Sequence, residues 1–149
     1  MRAALDKLAL YGTLPPRLAL GVIFLAHGSQ KLFGAFDGPG LQGVAGFMGP
    51  MGFTPPMFWA VLLSGTEFFG GLGVLVGLLT RLSALGLAVA MIVAIGAVHI
   101  QHGLFAQNHG MEYPLALLGM SLGLLLTGAG RISLDYACCG KKRQAPATS

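Results

Sequence analysis

A histidine, a lysine and a glutamate lie within long apolar runs of this chain. An ionisable side chain there costs about 2.5–3.5 kcal/mol on membrane-insertion scales and so marks a functional position. His27, Gln30 and Lys31 stand at i, i+3 and i+4, on one side of a helix. Glu67 stands in a second run, with Ser64, Gly70 and Gly71 at i−3, i+3 and i+4, small neighbours that leave room for another helix or a ligand. Counted along a helix, His27 is about 15 Å from Arg17 and Glu67 about 14 Å from Phe58. The shared depth, near a bilayer midplane, predicts a His27–Glu67 pair. A carboxylate alone in hydrocarbon takes up a proton, whereas a facing imidazole shares it. Such a pair can accept and relay protons.

A second group closes the third apolar run and opens the fourth. His99 and His102 end one, His109 follows, and Glu112 with Tyr113 begins the other, at a level Lys31 also reaches. Such a cluster could hold a polar head group, an anion or a metal. Its spacing matches no standard zinc set, so no metal site is expected. Haem held between two histidines needs matching depths, which His27 and His99 lack. The expected catalytic residues are His27 and Glu67, and the expected ligand-binding residues are Gln30, Lys31, Ser64, His99, Glu112 and Tyr113. The competing reading is structural: His27 bonds a helix backbone, Glu67 is a neutral packing acid and Lys31 snorkels to the surface.

The elements that must position these residues are helices. The chain of 149 residues is 54% hydrophobic and 9% charged, with mean hydropathy +0.74. A soluble domain carries about a quarter charged residues, so lipid must be much of the solvent here. Four runs, about 17–36, 57–79, 82–100 and 112–128, approach the roughly 20 residues that cross a bilayer. Backbone groups in lipid must be satisfied within the segment, and the alternation of a barrel is missing, so an all-α bundle of four transmembrane helices follows. Glycines within the runs suit close helix packing: Gly86, Ala90 and Ala94 form a small-residue row, and Gly70, Gly71 and Gly73 a thin face. Between Asp37 and Pro56 the spacing of Val44, Phe47, Met48 and Met51 predicts a short amphipathic segment in the interface, capping the bundle's mouth.

Eight basic residues fall on one side of these spans (Arg2, Lys7, Arg17, Arg81, Arg131, Lys141, Lys142, Arg143) and Lys31 alone on the other. The positive-inside rule then puts both termini in the cytoplasm. It also accounts for the net charge of +4 without nucleic acid. No signal peptide is expected, because Pro15 and Pro16 precede the first long apolar run. Residues 1–136 are read as one membrane domain and 137–149 as a basic cytoplasmic tail. In that tail adjacent Cys138 and Cys139 make a poor disulfide.

The chain resembles the DoxX family of small bacterial membrane proteins. The resemblance rests on His27-Gly-Ser-Gln-Lys-Leu-Phe-Gly34, Gly38-Pro-Gly-Leu41, Glu67-Phe-Phe-Gly-Gly71 and Gly77-Leu-Leu-Thr-Arg81. It continues through Glu112-Tyr-Pro114 and Gly130-Arg-Ile-Ser-Leu-Asp135. It implies a four-helix protein of the bacterial inner membrane, in a family named after a subunit linked to a thiosulfate:quinone oxidoreductase. The expected function is a membrane component of a quinone-linked oxidoreductase, with quinone or quinol at the His/Glu site. His27 would bond a ring oxygen, Glu67 hold the proton and Lys31 favour negative charge. The sequence carries no flavin, haem or iron–sulfur motif, so electrons would pass to a partner subunit, and a homodimer in lipid is the expected assembly. The alternative is a non-enzymatic solute transporter or scaffold subunit.

Overall fold

The computed structural model describes residues 11–139; Arg2, Lys7, Lys141, Lys142, Arg143 and most of the expected basic tail lie outside them. Among the described residues the chain is helices and turns, without strands. Helix α1 is Leu14–Phe33, opened by Pro15 and Pro16 in its first turn and stopped by Gly34 in the left-handed conformation. A bend of 97° leads into the segment Ala35–Met51, which contains the short helix α2, Gly40–Met48. Helix α3 is Pro56–Val76, again with proline first and a left-handed glycine, Gly77, after it. Helix α4, Thr80–Ala94, continues through a π-helical turn at Ile95–His99 and a 3₁₀ turn at Ile100–His102. Helix α5 is Glu112–Thr127 and the terminal α6 is Leu134–Cys139.

α3 and the extended α4 are each long and apolar enough to cross a membrane. α1 joins that class together with the bent segment that follows it. With 16 residues, α5 spans about 24 Å, short of the hydrocarbon thickness of about 30 Å. The chain is an all-α membrane protein. Its helices start three residues earlier than the first apolar run and stop earlier than the first two, because the glycines at 34 and 77 end them before the apolar stretch does.

α1 packs mainly against α3, and α4 against α5 and α3. The α1–α3 crossing is tight because glycines meet backbone. A Cβ on Gly28 would lie 2.6 Å from the Cα of Phe68, and one on Gly71 would lie 2.6 Å from the amide nitrogen of Leu25. Across the molecule, Gly70 faces Leu87 and Gly86 faces Thr66, so the thin face of α3 serves both neighbours. Leu20, Phe24, Val74, Ala84, Leu87, Leu117 and Leu124 fill the centre. α2 buries Val44, Ala45 and Met48 against Ala60 of α3, with Leu41, Phe53 and Trp59 around them. It lies across the end of the bundle as the apolar spacing predicts.

The opposite end holds a buried cation. Arg17, 2% exposed, donates from Nε to the carbonyl of Val74 (3.0 Å) and from Nη2 to Leu75 (3.1 Å), in the last turn of α3. Nη1 donates to Ala129 (2.7 Å) and Ile132 (2.6 Å), beyond α5. The sequence reading treats Arg17 as a topology charge. The structure makes it a clamp on orphan carbonyls, where a cation also suits the helix dipole. Asp135 does the reverse for α4. Its two oxygens accept the amides of Leu79 (2.8 Å) and Thr80 (2.9 Å), fixing Leu79 at φ +48°. Burial acts to raise the Asp135 pKa, but the Thr80 and Leu79 amides and the Arg17 charge outweigh it and hold the carboxyl below its ordinary 3.8.

Candidate ligand-binding site

The α1–α3 contact sets the register of the site. Gly21 meets Leu75, Gly71 meets Leu25 and Gly28 meets Phe68, so the helices run antiparallel and Glu67 falls opposite Ser29, midway between His27 and Lys31. Side chains on a helix lean toward its N-terminus. Lys31 therefore leans inward toward the level of Glu67, Glu67 leans out toward it, and His27 leans away. The result is a Lys31–Glu67 ion pair with Nζ 2.5 Å from Oε1. The expected direct His27–Glu67 pair is not formed.

The pair is asymmetric. Glu67 is 2% exposed and its partner 26% by side chain. The second carboxylate oxygen, Oε2, is buried with no hydrogen-bond partner. Buried polar atoms are nearly always paired, so an unpaired oxygen of a charged group requires an explanation. Ser64, one turn away on the same helix, is fully buried and its hydroxyl is likewise unpartnered.

Beside the pair is a cavity of about 590 Å³, within the range of small-molecule sites. Its floor is Phe24, Ala90, Met91 and Leu117, and its roof Phe47, Met48 and Met51 from the α2 segment. Against these apolar walls stand His27, Lys31, Glu67, His99 and Tyr113. His27 and Tyr113 are exposed residues that line the space, on the facing helices α1 and α5. The π-helical turn contributes Ala97, Val98 and His99. Such turns put an extra residue into a helix and cluster at functional sites. His99 Nδ1 lies 2.7 Å from the carbonyl oxygen of His109. A carbonyl only accepts, so Nδ1 carries the proton and Nε2 of the neutral ring is left as an acceptor.

The structure thus gathers His27, Lys31, Glu67, His99 and Tyr113 around one space. It does not bring Gln30, Ser64 or Glu112 into the lining, and Glu112 is exposed. His102 and His109 lie on the exposed surface with ring centres 6.4 Å apart. No group of three or more His, Cys, Asp or Glu side chains among the described residues is arranged to hold a metal ion. Sequence reasoning missed the apolar residues of the lining, Phe24, Met91 and Leu117, whose types suit a core equally well.

Residues 12–100 match the DoxX family. The chain belongs to the DoxX family. It is 35% identical over 132 residues to a Bacillus subtilis protein named "Putative oxidoreductase CatD", covering 88% of this chain and 90% of that one. An uncharacterized membrane protein of Mycobacterium tuberculosis is 33% identical over 129 residues, covering 80% and 76% of the two chains. No solved structure matches. The DoxX match and the apolar helices together make this a multi-pass membrane protein.

Proposed function

We propose that this DoxX protein is the membrane component of a quinone-linked oxidoreductase, with a quinone or quinol ring in the cavity beneath α2. The observation that carries the reading is the Lys31–Glu67 ion pair, with an unsatisfied carboxylate oxygen, on the wall of a largely apolar cavity of about 590 Å³. An apolar space with a few convergent polar groups suits a hydrophobic ring whose polar atoms are few and fixed. The B. subtilis relative's name favours oxidoreductase chemistry over transport.

Interconversion of quinol and quinone moves two protons with two electrons. The chain's own residues attend to the protons. Glu67 accepts or returns one, and Lys31 holds the carboxylate in place and offers positive charge to a ring oxygen. His27 and His99, on two sides of the same space, supply imidazoles that can hydrogen-bond a ring oxygen or its hydroxyl. A redox partner subunit takes the electrons. Four helices cross the bacterial inner membrane, with α5 the short span and both termini cytoplasmic. The cavity then opens at the outer face, where Lys31 is the single basic residue, and the Arg17 end faces the cytoplasm.

Mass spectrometry of organic extracts from purified protein tests the ligand. A co-purifying quinone that is lost from Lys31→Met is the expected result, and a protein free of quinones that also fails to bind added ones refutes the reading. Reporter fusions at Ser149 and within residues 40–50 test the topology and should report opposite sides of the membrane; a common side overturns it.

A further inference from the structure

We infer that the cavity selects the reduced, hydroxyl-bearing form of its ring, the aromatic diol, over the oxidised dione. This rests on the quinone-binding reading and sharpens it to one redox state. The argument is one of hydrogen-bond roles. An ionised carboxylate only accepts. Oxygen Oε1 of Glu67 already receives the Lys31 ammonium, whereas Oε2 has no donor although the residue is 2% exposed. The terminal torsion of a glutamate is broad, so a small rotation turns Oε2 into the cavity that Glu67 lines while Oε1 keeps its ammonium.

A phenolic hydroxyl then donates to Oε2 and satisfies it. A dione carries only acceptors. Placed there, it sets oxygen against oxygen and leaves Oε2 bare, with water now excluded. The dione is not shut out, because the Lys31 ammonium has donors to spare. The difference is one buried charged acceptor satisfied or not, which corresponds to roughly tenfold to hundredfold in affinity. His27 and Tyr113 line the same space, but an imidazole and a phenol can each donate or accept. Neither discriminates between the two redox states; Glu67 does, and the Nε2 acceptor of His99, which also lines the space, acts in the same sense without a buried charge behind it.

The test uses purified full-length protein in lipid nanodiscs, kept anaerobic. Two ligand pairs are titrated: a decyl-substituted benzoquinol against its benzoquinone, and a 4-alkylphenol against its methyl ether. The second pair removes redox chemistry and differs only in the hydroxyl donor. We expect the quinol and the phenol to bind at least tenfold tighter than the quinone and the ether. Glu67→Gln should cut both preferences by at least fivefold, since an amide donates as well as accepts. Equal or tighter binding of the quinone and the ether to the unaltered protein overturns the inference while leaving quinone binding intact. A preference undiminished in Glu67→Gln also overturns it. If no member of either pair binds, the quinone-binding reading fails and the inference fails with it. The phenol and ether titrations need no variant, so loss of the Glu67→Gln protein on folding does not remove the test.

Discussion

The two ends of the molecule each bury a charged group, and they treat it differently. At one end every part of the Arg17 fork meets a carbonyl, and both oxygens of Asp135 meet amides. At the other end Glu67 has one oxygen on Lys31 and one on nothing, beside a cavity. Saturated groups have no capacity left for a ligand, and their hydrogen bonds join α1, α3, α4 and the segment after α5. An unsaturated charge in apolar surroundings costs stability, and its retention points to use. Burial and charge alone would rank Arg17 and Glu67 together. Counting what each atom is bonded to separates a structural lock from a site.

The comparison breaks most readily at Arg17. Replacing it by Met leaves carbonyls of Val74, Leu75, Ala129 and Ile132 without a donor, and should destabilise the protein by about 3–5 kcal/mol. Lys should rescue little, since an ammonium cannot reproduce a planar fork serving two segments. Melting in detergent measures it. A stable Arg17→Met protein would show that the saturated end is not a lock.

The cavity end should respond in the opposite sense. Lys31→Met strands a buried carboxylate and should cost about 2 kcal/mol. The double change Lys31→Met with Glu67→Leu should recover that loss or exceed the parent, because replacing a buried ion pair by apolar groups is often stabilising. The doubly changed protein should bind no quinol. Double-mutant melting together with ligand titration checks both halves. A pair that proves stabilising by the same measure would place it with Arg17 as structure.

Asp135→Asn should cost about 1 kcal/mol at neutral pH by weakening the cap on α4. Its folded pKa lies below the ordinary 3.8, so its carboxylate contributes stability above that value and loses it as the pH falls through the folded pKa. The difference in melting temperature between parent and Asp135→Asn should therefore be full at pH 6 and shrink below about pH 4. A difference that grows on acidification contradicts the assignment.

The contrast between the ends also explains what the sequence showed. The helical membrane fold was legible in the apolar runs and their proline and glycine punctuation, since hydrocarbon leaves the backbone few alternatives. The polar residues that line the candidate site, His27, Lys31, Glu67, His99 and Tyr113, were legible as polar groups within or beside apolar runs, whereas Gln30, Ser64 and Glu112 fall outside the lining. The pairing of Lys31 with Glu67 was not legible. Counting depth from the ends of apolar runs carries an error of about a helical turn, which is the separation of His27 from Lys31, and the register came from glycines whose partners only the crossing reveals. The clamp made by Arg17 was not legible, because its partners are backbone carbonyls, which no residue pattern announces. The π-helical turn at Ile95–His99 leaves no mark in the apolar run either, so the contribution of Ala97 and Val98 to the cavity could not be anticipated.

The smallest effect should come from Phe47, and it separates roof from core within one short helix. Both line the cavity, but Met48, 6% exposed, also packs into the cluster around Ala60, whereas its neighbour Phe47 is 56% exposed and lies outside that cluster. Met48→Ala removes buried volume and should lower stability by about 2 kcal/mol. Phe47→Ala removes little that the fold buries, and melting should shift by less than about 0.5 kcal/mol equivalent. If a quinol occupies the cavity as proposed, the Phe47 ring lies over it, and affinity should still fall by about fivefold, the value of one partly buried apolar contact of about 1 kcal/mol. Melting and titration on the two single variants resolve the roles. If Phe47→Ala leaves affinity unchanged while Met48→Ala lowers it at constant stability, α2 does not roof the site through Phe47 and the ligand lies deeper, toward Phe24 and Leu117.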